Sequence, residues 1–248
     1  MTTSIERQAF AVVGAAAGIG RATATRLAQA GARVACLDRD LDGARQVASE
    51  IGGDALAVAC DVADLDRIPE AFDEVVGWAG QVHGLVNCAG ITGTTGAPSH
   101  EIPISDFSRV VGVNLEGAFA LSHAVLPHLL EHDYGRVLHV ASIAGKDGNA
   151  GMVSYSASKA GLIGMVKAQG KEYAETNITI NALAPAVIRT AMVDAMPEQQ
   201  VQYMTDKIPM KRCGTLEEAV ELIAWVVSPA CSVTTGFTFD LSGGRAVY

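Results

Sequence analysis

Tyr155 and Lys159, four positions apart, carry the most chemistry in this chain. On a helix that spacing places both side chains on one face, one turn from each other. A free phenol titrates near about 10, too high for a base at neutral pH, but a neighbouring ammonium favours the phenolate. Such a pair can take a proton from an alcohol and, in reverse, return it to a ketone oxygen. Upstream, the segment Ala141-Ser142-Ile143-Ala144-Gly145 offers the Ser142 hydroxyl to hold the same substrate oxygen. Tyr-x-x-x-Lys is common on solvated helix faces, so the assignment needs something to take the other half of the reaction.

The amino-terminal end supplies it. Gly14-Ala15-Ala16-Ala17-Gly18-Ile19-Gly20 directly follows the apolar run 10–13 and opens a helical pattern. A strand, a glycine turn and a helix N-terminus form a pyrophosphate site, because free N–H groups and the helix dipole point at the anion. Side chains at Gly14 and Gly20 would obstruct the approach of backbone to phosphate. Three glycines alone also describe a tight turn before any helix; their place after the first strand favours a dinucleotide. The second apolar run ends at Asp38, whose carboxylate suits ribose hydroxyls and repels the extra phosphate of NADP. Arg39 could pair with that phosphate, but Ala15, Ala16 and Ala17 put no basic residue in the turn. NAD is therefore expected over NADP.

These groups must be held by a scaffold, and the rest of the sequence describes one. Apolar runs at 10–13, 34–37, 55–60, 85–86, 137–140, 178–180 and 237–239 alternate with helix-like stretches at 19–29, 41–50, 64–78, 104–130, 155–174 and 216–227. Strands apolar on both faces and separated by helices predict an α/β fold, a doubly wound parallel sheet of about seven strands. With no linker or repeat, one Rossmann-type domain over 1–248 is expected. The 248 residues are 49% apolar and 18% charged, and the net charge of −9 argues against nucleic acid or anionic membrane partners. No continuous apolar run approaches the roughly 20 residues of a bilayer span, and the polar start lacks a signal-peptide layout; a cytoplasmic protein is expected. Five scattered cysteines read as structural thiols. His128 and His132 share a helix face, but no third ligand is evident nearby, so no metal is expected.

Further segments make the pattern specific. Asp61-Val62 ends the third run, Asn87-Cys88-Ala89-Gly90 ends the fourth, and Asn114-Leu115-Glu116-Gly117 lies in the long helical stretch. With the glycine turn and the Ser142, Tyr155 and Lys159 set, the whole chain resembles the short-chain dehydrogenase/reductase family. The resemblance implies an NAD-dependent oxidoreductase acting on CH–OH groups. It implies Asn114 as a fourth catalytic residue, which interrupts a helix and helps hold a proton-relaying water. It implies that Gly14, Gly18, Ile19, Gly20, Asp38, Asp61, Val62, Asn87, Ala89, Gly90, Tyr155 and Lys159 border the cofactor. Pro185-Ala186-Val187-Ile188-Arg189-Thr190 resembles the family's Pro-Gly-x-x-x-Thr stretch, which would add Pro185, Ile188 and Thr190 at the nicotinamide. Three positions depart from the pattern: Val13 stands for a threonine, Cys88 for an asparagine or alanine, and Ala186 for a glycine.

For the substrate, polar residues near the chemical end are the only guide. Lys146, Asn149, Arg189, Arg245 and Tyr248 suggest, with Ser142 and Tyr155, a small polar or anionic molecule rather than a steroid or long acyl chain. The segments holding them are similar to sugar-acid dehydrogenases of the family, which implies a 2-keto-3-deoxy sugar acid such as 2-keto-3-deoxy-L-fuconate. A 3-oxoacyl carrier-protein reductase shares the catalytic set, but Asp38 and the acidic charge speak against it. A catalytically silent NAD-binding scaffold would be expected to lack the tyrosine or lysine. Ala157, Gly161, Gly164 and Ala168 form a small-residue stripe on one helix, and helix-interior glycine costs about 1 kcal/mol against alanine, so close packing is expected there. The resemblance implies a homotetramer built on that helix and the 104–130 one, with Arg245 and Tyr248 reaching a neighbour's site.

Overall fold

The computed structural model describes residues 4–246. Seven parallel strands form one sheet in the order β3-β2-β1-β4-β5-β6-β7. They are β1 (Ala9–Val13), β2 (Arg33–Asp38), β3 (Leu56–Ala59), β4 (Gly84–Asn87), β5 (Gly135–Val140), β6 (Ile178–Pro185) and β7 (Thr238–Leu241). The helices are α1 (Gly18–Gln29), α2 (Leu41–Ile51), α3 (Ile68–Ala79), α4 (Ile104–Val111), α5 (Gly117–Glu131), α6 (Ala144–Asp147), α7 (Val153–Glu172), α8 (Ala191–Asp194), α9 (Glu198–Asp206) and α10 (Leu216–Val226). Both faces of the sheet are covered, which is why the strands read as unbroken apolar runs. Alternate residues supply alternate layers. Ala11, Val13, Leu37, Leu85 and Val137 pack with Leu121, Val125 and Leu162 on one side. Phe10, Val12, Val34, Val86 and Leu138 pack with Leu27 and Ile223 on the other.

The chain reverses its winding between β1 and β4, which pair directly with Val13 opposite Asn87. Ligands of such sheets bind in the crevice beyond the strand ends at this point. The glycine turn after β1 and the Asn87–Gly90 segment after β4 meet there.

The expected 104–130 helix is present as α4 and α5 joined through a π-helical turn at Gly112–Glu116. Its 28 residues, Ile104–Glu131, are long and apolar enough to cross a membrane. Here they form core instead: Val110, Leu121, Val125 and Leu129 are fully covered by protein. The 178–180 run extends through Pro185 despite polar Asn181. That side chain is satisfied inside, donating to the Thr234 carbonyl at 2.8 Å and accepting from the Phe237 N–H at 3.1 Å. The stretch 64–78 divides into a 3-10 turn, Leu65–Arg67, and α3, with Pro69 in the first helical turn, where its missing N–H costs nothing.

Candidate active site

The glycine turn is shaped by backbone contact. Gly14 has φ +79°, and a Cβ there would lie 2.9 Å from the Ala89 nitrogen. A Cβ at Gly20 would collide with the Gly14 carbonyl oxygen, whereas Gly18, at φ +55°, faces open space. Ala17 caps α1 without a side-chain bond, and the first turn carries no acidic residue. Its N–H groups are thus left for an anion. Asp38 is fixed before any ligand arrives: one carboxylate oxygen accepts from the Ala16 N–H at 2.9 Å, the other from the Asp40 N–H at 3.0 Å. Asp61 accepts from the Ala63 N–H at 2.9 Å. With Arg39, Cys60 and Arg67 it borders a cavity of about 270 Å³ at the end of β3. Val62 is buried, and its carbonyl lies where only a glycine at 117 fits. Turn, carboxylate and cavity together fit a dinucleotide.

At the chemical end Ser142 lies just beyond β5, its oxygen accepting from the Ala144 N–H at 3.1 Å. Gly145 lets this loop press on α7, since a Cβ there would sit 2.6 Å from the Lys159 carbonyl carbon. Tyr155 and Lys159 share one face of α7, and the Lys159 ammonium lies 5.7 Å from the centre of the Tyr155 ring. The Lys159 Nζ donates to the Val140 carbonyl at 2.7 Å. Burial lowers the lysine to about 8. It raises the Tyr155 phenol, against a smaller lowering by the Ser142 hydroxyl. In the unliganded chain burial is thus the larger influence on the phenol, and the amine is directed at the Val140 carbonyl of β5.

Asn114 is buried in the π-helical turn and uses its whole amide. Its oxygen accepts from the Ile91 N–H at 2.8 Å, while its nitrogen donates to the Ile91 carbonyl and to the Ser158 hydroxyl, both at 2.9 Å. Ser158 in turn donates to the Tyr155 carbonyl at 2.8 Å. Gly90 completes the packing, for a Cβ there would lie 3.1 Å from Asn114 Oδ1 and 3.2 Å from Lys159 Nζ. Ser158, Gly145 and Gly90 thus position the candidate catalytic set. Ser158 escaped the sequence reading although it sits inside the Tyr155–Lys159 segment, one residue from the lysine.

The loop after β6 closes the other wall. The Pro185 carbonyl accepts from the Ile143 N–H at 3.0 Å, coupling it to the serine loop. Ala186 is not among the described non-glycine residues with positive φ, which are Arg7, Asp133 and Lys211. Alanine is therefore accommodated where the family pattern has glycine. Ile188 is buried and bridges to Gly214, and Thr190 stands at the N-cap position of α8 without a side-chain capping bond.

The candidate substrate residues are largely engaged within the chain. Lys146 pairs with Asp240 at 2.9 Å. Arg245 pairs with Asp147 at 3.3 Å and donates to Asn149 Oδ1 at 2.6 Å. Arg189 donates to Asp194 at 2.7 Å. Tyr248 lies outside the described residues. A third potential metal ligand does exist beside His128 and His132: Glu131 brings all three ligand atoms within 4.8 Å, contrary to expectation. However, His128 Nε2 accepts from the Val82 N–H at 3.0 Å. That acceptor role puts the ring proton on Nδ1 and leaves neither nitrogen free for a metal.

Fold, glycine turn and Ser142, Tyr155, Lys159 set define an oxidoreductase of the dinucleotide-binding α/β class. Comparison with known proteins gives the family: the chain belongs to the short-chain dehydrogenases/reductases. Residues 14–246 match a family model described as enoyl-(acyl carrier protein) reductase. The 2-dehydro-3-deoxy-L-rhamnonate dehydrogenase (NAD(+)) of Sphingomonas sp. (strain SKA58) is 41% identical, over 96% of this chain and 94% of the relative. The 3-oxoacyl-[acyl-carrier-protein] reductase of Thermotoga maritima is 36% identical, over 98% and 99%. Among solved structures, 3-ketoacyl-(acyl-carrier-protein) reductase from Brucella melitensis complexed with NADH superimposes with a TM-score of 0.91 at 31% identity, covering 98% of this chain and 100% of that one.

Proposed function

We propose that this enzyme uses NAD to oxidise the secondary alcohol of a small sugar acid, of the 2-keto-3-deoxy class, or reduces the corresponding ketone. The cofactor is NAD. The observation that carries the reading is the Asp38 carboxylate, fixed by two backbone N–H groups at the ribose end of the glycine turn. A fixed negative charge there opposes a further phosphate. The Sphingomonas relative, at 41% identity, supports the sugar-acid class over an acyl carrier substrate, as does the net charge of −9, which opposes docking of an acidic carrier protein.

When bound, NAD supplies the hydride acceptor and a positive ring charge that favours a phenolate. The chain's own groups do the rest. Ser142 holds the substrate oxygen, and Tyr155 takes its proton as the carbinol C–H bond breaks. Lys159 neutralises the phenolate, and Asn114, clamped to Ile91 and Ser158, keeps α7 against the segment after β4. In the reductive direction Tyr155 returns the proton.

Steady-state assays with sugar acids, hydroxy acids, polyols and 3-oxoacyl thioesters, each with NAD and NADP forms, test this. NADH formation is expected with 2-keto-3-deoxy sugar acids, with NAD favoured about tenfold or more. Turnover confined to acyl thioesters, or a preference for NADP, overturns it.

The enzyme acts as a homotetramer in this reading. Phe119 and Leu130 on α5 are large and exposed. Gly164 on α7 has nothing within 4 Å of its would-be Cβ, whereas Gly161 is filled from within by Leu115. An open glycine position on the same side as exposed apolar side chains suits the close approach of a second chain. Sedimentation as a monomer contradicts it.

A further inference from the structure

Beneath the active site, inside the sheet, three polar side chains form a buried chain that the mechanism above does not use. His139 on β5 is fully buried, Ser122 on α5 likewise, and Asn87 ends β4. Asn87 Nδ2 lies 3.2 Å from His139 Nδ1, and His139 Nε2 lies 2.9 Å from the Ser122 oxygen. The amide of Asn87 cannot be turned round, because its oxygen accepts from the Ala89 N–H at 3.0 Å. The nitrogen of Asn87 therefore faces the ring and donates to it. Nδ1 must be the acceptor, and the ring proton sits on Nε2 and points at Ser122.

We propose that His139 is a positioning residue for cofactor binding, held as the neutral Nε2–H tautomer so that it locks Asn87 and, through it, the Ala89–Gly90 segment. The consequence follows from what that segment touches. The Ala89 nitrogen is the atom against which Gly14 packs, and Gly90 packs on Asn114 and Lys159. A charged His139 would set two donors face to face at Asn87, freeing the amide to rotate and the segment to drift into the glycine turn. The neighbourhood opposes that charge: burial, helped by the Lys159 ammonium, holds the ring at about 3. Lys159 is the charged group acting on it, and it belongs to the face of α7 that carries Tyr155.

The inference rests on the reading of the Gly14–Gly20 turn as the dinucleotide site, but its first test does not. Nitrogen-edited NMR of the unliganded protein should show His139 neutral with its proton on Nε2 through neutral pH and below. A protonated ring, or a proton on Nδ1, overturns the proposal. Second, His139→Leu should raise the KM for NAD about tenfold, the cost of an unsatisfied buried donor, with kcat for the same alcohol changed much less. His139→Gln, with an acceptor and a donor on one amide, should recover most of the loss. An unchanged KM in a folded His139→Leu variant, or no recovery in His139→Gln, contradicts it. If His139→Leu does not fold, the tautomer and the glutamine variant still decide. Should the chain not bind NAD at all while His139 keeps the Nε2–H tautomer, the cofactor reading fails and the buried network stands.

Discussion

Tyr155→Phe is expected to lower kcat by about 10²–10⁴-fold, the range of one general acid–base group, while NADH binding changes little. The substitution removes one oxygen from a side chain whose ring is largely enclosed, so it opens no cavity. The Ser142 oxygen keeps its bond from Ala144, and Lys159 keeps Val140. What is lost is the atom that moves the proton. Steady-state rates with an active alcohol, beside fluorescence titration with NADH, separate the two effects. Retained turnover with phenylalanine at this position would remove Tyr155 from the chemistry.

Lys159→Met is expected to abolish most activity and to stabilise the unliganded chain. Lysine is lowered from 10.5 to about 8 by burial, so the folded chain holds this proton less well than the unfolded chain does. The unfolded chain therefore binds more protons between the two values, and the lysine's contribution to stability rises with pH across that window. Below about 8 the buried charge costs stability in full, on the order of 3 kcal/mol at 1.36 kcal/mol per unit. Methionine removes that cost and leaves the Val140 carbonyl without its donor, a loss of about 1 kcal/mol. The net gain is a rise of a few degrees in Tm, largest at neutral pH and shrinking above about 8, readable by calorimetry. A lower Tm at neutral pH contradicts the assignment of burial as the dominant force on this amine.

The groups that were legible in the sequence are those whose meaning is local. Gly14, Gly18 and Gly20 follow a strand and open a helix within seven residues, and Tyr155 and Lys159 are one turn apart. The apolar runs placed all seven strands, because each strand lies within or overlaps one, although the edge strands β3 and β7 are only partly buried. What escaped depends on residues distant in the chain. Lys146 and Asp240 are 94 positions apart, Arg245 and Asn149 are 96 apart, and nothing in either neighbourhood announces the pairing. The Asn87, His139 and Ser122 chain crosses two strands and a helix in the same way. Helices α8 and α9 were missed for another reason: Ala191–Asp194 is four residues long, and Glu198–Asp206 is mostly polar. Neither shows the apolar period on which a helix assignment rests.

How charge is balanced around Tyr155 and Lys159 is not decided by their spacing. Two residues four apart on a helix share a face, but burial of the phenol and the Val140 carbonyl set the balance, and both are tertiary facts.

A crystal structure of the enzyme with NADH tests the account at its centre. The Tyr155 hydroxyl should stand opposite the nicotinamide C4, with Ser142 beside it, Lys159 behind it and the pyrophosphate on the N–H groups that open α1. A dinucleotide seated elsewhere, or a Tyr155 side chain turned from the nicotinamide, would contradict it.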